Sequence, residues 1–295
     1  MLFRSILIIR TGGVGDCILT LPVLSFLRQS HPEAELHVLG NPNMNEVVRL
    51  YGMAATCRSI DEAGFAALYS GGKPTEFLHE YFREFDRVLF FTVRERSAAE
   101  RAVLDAGAGA CRALDPRPPE GHRRHISTHL LSILDEYNGE PPTLPPMSRA
   151  GTLPRVPGRL AIHPGSGGVA KTWPLERFLT IAARWSGETV FVTGPAEHER
   201  GMAKLIPKDF RIFSGDTLAA TFELLASAER YLGCDSGVSH LAALARMPST
   251  VLFGPTDPDV WRPLGEGVTV IASPDGTMEG IVPDTVMESL THSRT

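Results

Sequence analysis

A short apolar run, a turn of small residues and a helix-periodic segment follow one another along this chain in two separate series. Between the series, residues 139–158 carry Pro141, Pro142, Pro145, Pro146, Pro154 and Pro157 among polar residues. Repeated prolines continue neither a helix nor a central strand, so this stretch reads as a linker. It divides the chain into domains at residues 1–150 and 151–295. The apolar runs, such as Ile6-Leu7-Ile8-Ile9, do not alternate with polar residues. That is the pattern of strands covered on both faces in a parallel sheet, and the alternation with helices makes the class α/β.

In the first series, strands are expected at 6–9, 36–40 and 87–91, and helices at 41–50, 97–104 and 125–137. A long helix follows the turn Thr11-Gly12-Gly13-Val14-Gly15-Asp16, with Ile18, Leu19, Leu21, Leu24 and Leu27 on its apolar face and Pro22 in its first turns. Residues 60–84 are weakly patterned, and Gly71-Gly72-Lys73-Pro74 reads as a loop. In the second series, strands are expected at 160–163, 189–193, 210–213, 230–234 and 250–253, with helices at 175–185, 197–205, 218–226 and 238–245. Each half then reads as a doubly wound domain, with a cleft between the carboxyl ends of the two sets of strands. A last helix at 278–290 is expected to pack back across the linker.

The 295 residues are 43% hydrophobic, enough for two cores. A net charge of −5 argues against nucleic acid as a partner. Cys17, Cys57, Cys111 and Cys234 lie far apart without ligand spacing, which excludes a disulfide framework and a zinc site and fits a reducing cytosol. The apolar start is too short for a signal peptide, and no stretch is long enough to span a bilayer. His122, His125 and His129 have no carboxylate or cysteine set beside them and read as a solvated helix face, not a metal centre.

Candidate chemistry lies in the loops that close the strands. At Cys234-Asp235-Ser236-Gly237, Asp235 or Ser236 can cap the helix that runs through His240, while Gly237 leaves room above its free N–H groups. Such a terminus holds an anion such as a diphosphate. In the loop after His163, Gly165, Gly167 and Gly168 allow close backbone approach, Ser166 offers a hydroxyl and Lys171 a cation. The spacing is not that of a P-loop. A carboxylate beyond the next strand, Glu197 or Glu199, is placed either to bind ribose hydroxyls or to favour its own helix terminus. Asp16 can be a helix N-cap, or a general base whose pKa burial raises. The glycines at 12, 13 and 15 lack the spacing of a dinucleotide fingerprint, and Gly40-Asn41-Pro42 stands where its acid belongs, so NAD is rejected. Asp257-Pro258-Asp259 reads as a proline-punctuated turn.

Four blocks together resemble the heptosyltransferase family, glycosyltransferase family 9. They are Ile8-Ile9-Arg10-Thr11-Gly12-Gly13-Val14-Gly15-Asp16 with Leu19-Thr20-Leu21-Pro22; His163-Pro164-Gly165-Ser166 with Lys171-Thr172-Trp173-Pro174; Gly233-Cys234-Asp235-Ser236-Gly237-Val238-Ser239-His240-Leu241-Ala242-Ala243; and Phe253-Gly254-Pro255-Thr256-Asp257-Pro258. The resemblance implies a GT-B fold of two Rossmann-like domains facing each other across a cleft, with the acceptor on the first and the nucleotide-sugar donor on the second. It implies inverting, metal-independent transfer of heptose from ADP-heptose to a lipopolysaccharide-core-type acceptor, with no cofactor. By position, Asp16 matches the catalytic base. Lys171 and Ser166 match the groups on the donor phosphates, and Asp235, Ser236, Gly237 and His240 the donor turn; Gly13, Gly15 and Gly167 are expected to bind the donor as well. Glu199 or Glu197 matches the ribose-binding glutamate. The family usually has threonine at Ser236, and residues 52–85 match no block. A cytoplasmic enzyme is expected, and a lipid-linked saccharide acceptor would bring it to the inner membrane face, where Arg94-Glu95-Arg96 and Arg123-Arg124 could meet a phosphorylated acceptor.

Overall fold

A computed structural model describes residues 3–69, 73–93, 96–139, 144 and 153–291. Gly71, Gly72, Arg94, Glu95, Pro141, Pro142, Pro145 and Pro146 lie outside the described residues. The chain divides into two compact units, Met1–Pro145 and Pro146–Thr295.

The first unit holds strands β1 (Ser5–Arg10), β2 (Glu35–Gly40), β3 (Thr56–Ser59), β4 (Arg87–Phe91) and β5 (Cys111–Leu114). All pair parallel in the order β3-β2-β1-β4-β5. Helices α1 (Val14–Ser30), α2 (Pro42–Tyr51), α3 (Glu76–Phe82), α4 (Arg96–Asp105) and α5 (Ile126–Ser132) connect or cover them. Leu7, Ile9, Val88 and Phe90 share one core cluster with Phe65, Leu78, Phe82 and Val103. Each side chain so buried contributes roughly 1.5–3 kcal/mol.

The second unit holds β6 (Leu160–His163), β7 (Thr189–Thr193), β8 (Arg211–Ser214), β9 (Arg230–Cys234), β10 (Ser249–Phe253) and β11 (Val268–Ala272), parallel in the order β11-β10-β9-β6-β7-β8. Its helices are α6 (Leu175–Arg184), α7 (Pro195–Glu199), α8 (Leu218–Ser227), α9 (Gly237–Leu244), α10 (Pro258–Trp261) and α11 (Pro283–Thr291). Numbered within the unit, this is the 3-2-1-4-5-6 order of a doubly wound fold, whose ligands lie at the carboxyl ends of the strands where the order reverses. In the second unit that point falls between β6 and β9, and in the first between β1 and β4.

The elements depart from expectation in five places, one being the helix expected at 197–205: α7 ends at Glu199, and a left-handed Gly201 (φ 72°) separates it from a 3-10 turn at Met202–Leu205. Helix α1 begins at Val14, so Pro22 sits in its middle and not in its first turns. Helix α5 ends at Ser132 and not at 137, for Leu134 N–H turns back to Leu131 C=O while Asp135 pairs with Arg112 and Glu136 with Arg87. Strands β3, β5 and β11 were not expected. All three are sheet edges with one neighbour each; β3 and β5 have no continuous apolar run, whereas β11 carries Val270-Ile271-Ala272 after Val268-Thr269. The last helix, α11, packs on α6 and β10, and Val286 and Leu290 are buried with Trp173 and Phe178 in the core of the second unit.

Candidate active site

In the second unit, Trp173 fixes the loop after β6. It is fully buried, its indole N–H donates to Ile281 C=O (3.0 Å), and its backbone N–H donates to Cys234 Sγ (3.3 Å). A 3-10 turn at Val169–Lys171 then presents Lys171. Arg200 braces the other limb, donating to Ser166 C=O (2.8 Å) and Gly167 C=O (3.4 Å). Nothing in the sequence marked Arg200 beyond its place just after α7.

The two loops at the order reversal are tied directly. Ser166 Oγ donates to Asp235 C=O (2.7 Å), and Lys171 Nζ donates to Asp235 Oδ2 (3.0 Å). Thr256 Oγ1 donates to the same Oδ2 (2.8 Å), which explains why the block after β10 belongs with the other two. Asp235 and Ser166 are buried, while the Lys171 side chain keeps 30% of its surface. Lys171 is therefore a cation already held by one carboxylate, and the Ser166 proton is already committed.

Ser236, not Asp235, is the N-cap of α9, its Oγ accepting from Ser239 N–H (3.4 Å). Gly237 is the first helical residue and His240 is buried one turn on. The first turn of α9 thus follows directly on Asp235, to which the loop carrying Ser166 and Lys171 is tied. Gly167 has open space around its Cα, so a side chain there would meet nothing within 4 Å.

The two candidate glutamates separate. Glu197 is buried, its Oε2 accepts from Gly194 N–H (2.8 Å), and it presses on Gly165 so closely that a Cβ there would collide with its carboxylate. Glu199 is exposed. Beside Glu197, His163 is fully enclosed at the end of β6. Its Nδ1 lies 3.0 Å from Val192 C=O, which can only accept, so Nδ1 carries the hydrogen. Burial lowers the His163 pKa, with Glu197 opposing the shift. Burial also pushes the Cys234 thiol up to about 12.

In the first unit, Gly13 is the N-cap of α1 and Asp16 its third residue. Asp16 Oδ2 accepts from Gly13 N–H (3.0 Å), and Oδ1 lies 3.9 Å from Arg10 Nη2. The Asp16 side chain is 47% exposed, so the burial expected of it is absent. Arg10 is buried, and burial pulls its guanidinium below its usual pKa. Its Nε donates to Thr20 Oγ1 (3.3 Å), whose proton goes to Asp16 C=O (2.8 Å). Gly12 has φ +156°, and a Cβ on it would lie 2.8 Å from Asp16 Cβ, so the folded-back carboxylate requires glycine there. Asn41 caps α2 through Oδ1 and donates from Nδ2 to Gly12 C=O (2.8 Å). The position read as lacking a dinucleotide-binding acid is a brace for this turn. Gly15 lies within the first turn of α1.

The remaining candidates are structural in what they touch. Asp257 caps α10 by accepting from Asp259 N–H (2.9 Å). His125 caps α5 through Nδ1, His129 faces Asp115 C=O, and the His122 and His129 rings pack edge to face at 5.3 Å. Among the described residues, no three His, Cys, Asp or Glu are grouped to hold a metal, and no helix is long and apolar enough to cross a membrane.

Known proteins resemble this chain both in sequence and in fold. Lipooligosaccharide heptosyltransferase 2 of Haemophilus influenzae is 30% identical over 121 residues, which are 38% of this chain and 35% of that protein. Lipopolysaccharide heptosyltransferase 1 of Escherichia coli is 26% identical over 125 residues, 41% and 39% of the two chains. The chain thus spans between about a third and two fifths of the length of these curated relatives that it matches. In structure, E. coli ADP-heptose lipopolysaccharide heptosyltransferase II superposes with a TM-score of 0.76 at 19% identity, covering 97% of both chains. An E. coli heptosyltransferase solved with ADP superposes with a TM-score of 0.72, also at 19% identity, covering 97% and 98%. These likenesses establish two parallel-sheet α/β domains of the GT-B type. The family model described as glycosyltransferase family 9 (heptosyltransferase) matches residues 142–289, half of the chain, and the chain belongs to that family.

Proposed function

We propose that this protein transfers heptose from ADP-heptose to a saccharide acceptor of the lipopolysaccharide-core type, with inversion and without a metal. The observation that carries the reading is the tie between Ser166, Lys171 and Asp235 ahead of the free N–H groups of α9, at the point where the strand order of the second sheet reverses. The similarity to heptosyltransferases, one of them solved with ADP, supports this substrate class.

In this reading the second unit is the donor domain. The diphosphate sits at the start of α9, with Gly237 giving it room, Ser236 donating to it and Lys171 turning part of its charge from Asp235 toward it. His240 lies buried beneath that turn. Gly167 lets the loop backbone approach, and Glu199 or Glu197 of α7 meets the ribose. The first unit supplies the base, with Gly13 and Gly15 keeping the Asp16 turn open. Asp16 takes the proton of an acceptor hydroxyl as that oxygen bonds to the anomeric carbon. The bond from that carbon to the phosphate oxygen breaks, and its electron pair leaves with ADP. General-base help of this kind is typically worth about 10²–10⁴-fold. Lys171 and the helix terminus stabilise the charge gathering on the leaving group. A lipid-linked acceptor would place this work at the cytoplasmic face of the inner membrane.

The test is calorimetric titration with ADP, UDP, GDP and NAD, with and without magnesium, followed by transfer assays on heptose-free lipopolysaccharide core. Preference for ADP without dependence on magnesium is expected. Preference for UDP or GDP moves the function to another sugar donor, and binding of NAD alone overturns the reading.

A further inference from the structure

Three loops of the second sheet meet on one carboxylate. Asp235, which follows β9, accepts at Oδ2 from Lys171 Nζ (3.0 Å) of the loop after β6 and from Thr256 Oγ1 (2.8 Å) of the turn after β10. The Asp235 side chain keeps 10% of its surface and that of Lys171 keeps 30%. Backbone contacts set the Thr256 turn beside Asp235. Asp235 N–H donates to Leu252 C=O of β10 (3.0 Å), and Asp257, next to Thr256, caps α10.

The two donors differ in what else they can do. Thr256 has one proton, and the carboxylate holds it. Lys171 has three N–H groups on a flexible stem and is the more exposed partner, so it is the one that can turn to a phosphate. A buried carboxylate that gives up its cation with no other donor in place is costly. We propose that Thr256 is a positioning residue for the nucleotide: its hydroxyl keeps Asp235 partnered while Lys171 shifts from that carboxylate to the diphosphate. The inference rests on the reading that a nucleotide diphosphate sits at the start of α9. Thr256 acts through Asp235 and Lys171, not by contact with the ligand.

The experiment is calorimetric titration of the full chain with ADP. Thr256→Val has nearly the same shape without the hydroxyl, and it is expected to weaken ADP binding about tenfold, as a buried acceptor is left without a donor. Thr256→Ser keeps the hydroxyl and should stay within about threefold of the starting protein. Lys171→Met supplies the second readout. With no cation to transfer, Asp235 has the same partners with and without ADP, so Thr256→Val in that background should weaken binding by less than about threefold further. A packing or loop-shaping role predicts otherwise: Thr256→Ser loses what Thr256→Val loses, or the full loss persists without Lys171. Either result overturns the proposal. Wild-type-like affinity of Thr256→Val overturns it too, since Lys171 then reaches the diphosphate without releasing Asp235. If Thr256→Val does not fold, Thr256→Ala against Thr256→Ser makes the same comparison: weaker binding by the alanine variant supports the proposal, and equal affinities overturn it. A starting protein that binds no ADP overturns the reading of the donor turn itself, and this inference falls with it.

Discussion

Asp16 divides its two carboxylate oxygens between two neighbours, and this allows its structural and catalytic roles to be separated. Oδ2 accepts from Gly13 N–H and closes half of a capping box, while Oδ1 faces the Arg10 guanidinium. Asparagine is isosteric and can still accept from Gly13 N–H, but it cannot take a proton at neutral pH. Asp16→Asn should therefore cost under about 1 kcal/mol in stability and lower transfer by about 10²-fold or more, with ADP affinity unchanged. Asp16→Ala should lose both the cap and the activity. Thermal melts and initial rates on the two variants check this, and a fully active Asp16→Asn removes Asp16 as base. Lys171 and Asp235 are coupled in the same sense. Asp235 is buried and shares one oxygen between Lys171 and Thr256, so Lys171→Met leaves a carboxylate with one neutral partner. Because Lys171 is about a third exposed, the loss should be on the order of 1–2 kcal/mol, below that for a fully buried pair. Adding Asp235→Asn should recover part of it, which a double-mutant cycle by denaturant titration measures.

Helix α1 carries a proline in its middle, and the structure contains a device beside the break. Pro22 has no N–H to offer Ile18 C=O. On the same turn, Leu19 C=O accepts from Ser127 Oγ of α5 at 2.8 Å, and Ser127 is completely buried. This bond joins two helices 108 positions apart. Ser127→Ala should cost about 1–2 kcal/mol, and Ser127→Thr should cost at least as much by overpacking; a wild-type melting temperature for Ser127→Ala would show the bond to be dispensable. Nothing in the sequence announced it, because Ser127 lies on a helix face with no pattern that names its partner. The same limit explains what was legible among the elements. Strands β1, β2, β4, β6, β7, β9 and β10 are buried on both faces and show as continuous apolar runs. The edge strands β3 and β5 carry residues such as Thr56, Arg58 and Arg112, and only their pairing makes them strands. At the site, the residues that open the loops were legible from small and polar types standing at strand ends. The residues that brace those loops, Arg200, Asn41 and Thr256, were not, since their role is a contact across 21 to 34 positions. The choice between Glu197 and Glu199 was open for a related reason: two positions apart on a short helix they face differently, and only the burial of Glu197 against Gly165 separates them.

For the whole molecule, the enclosed histidine of the second sheet sets a direction for stability against pH. His163 is held neutral by burial, with its pKa lowered from 6.5, and His37 and His129 are lowered for the same first reason. In the unfolded chain these rings bind protons normally, so below about pH 6.5 the unfolded state binds more protons than the folded one. The sign follows: this part of the stability is fully present above pH 6.5 and is lost as pH falls below it toward the folded-state values. Each proton taken up on unfolding steepens the loss by about 1.4 kcal/mol per pH unit. His163→Asn is the sharpest probe, because an asparagine Nδ2–H can replace the ring Nδ1–H that donates to Val192 C=O while removing the titration. Denaturant midpoints between pH 5 and pH 8 should fall toward acid in the starting protein and fall less steeply in the variant. The chain divides into two compact units, so if these melt in separate transitions the change should be confined to the one that reports the second unit. Equal slopes for the two proteins would mean that His163 titrates alike folded and unfolded, and that its enclosure beside Glu197 does not hold it neutral.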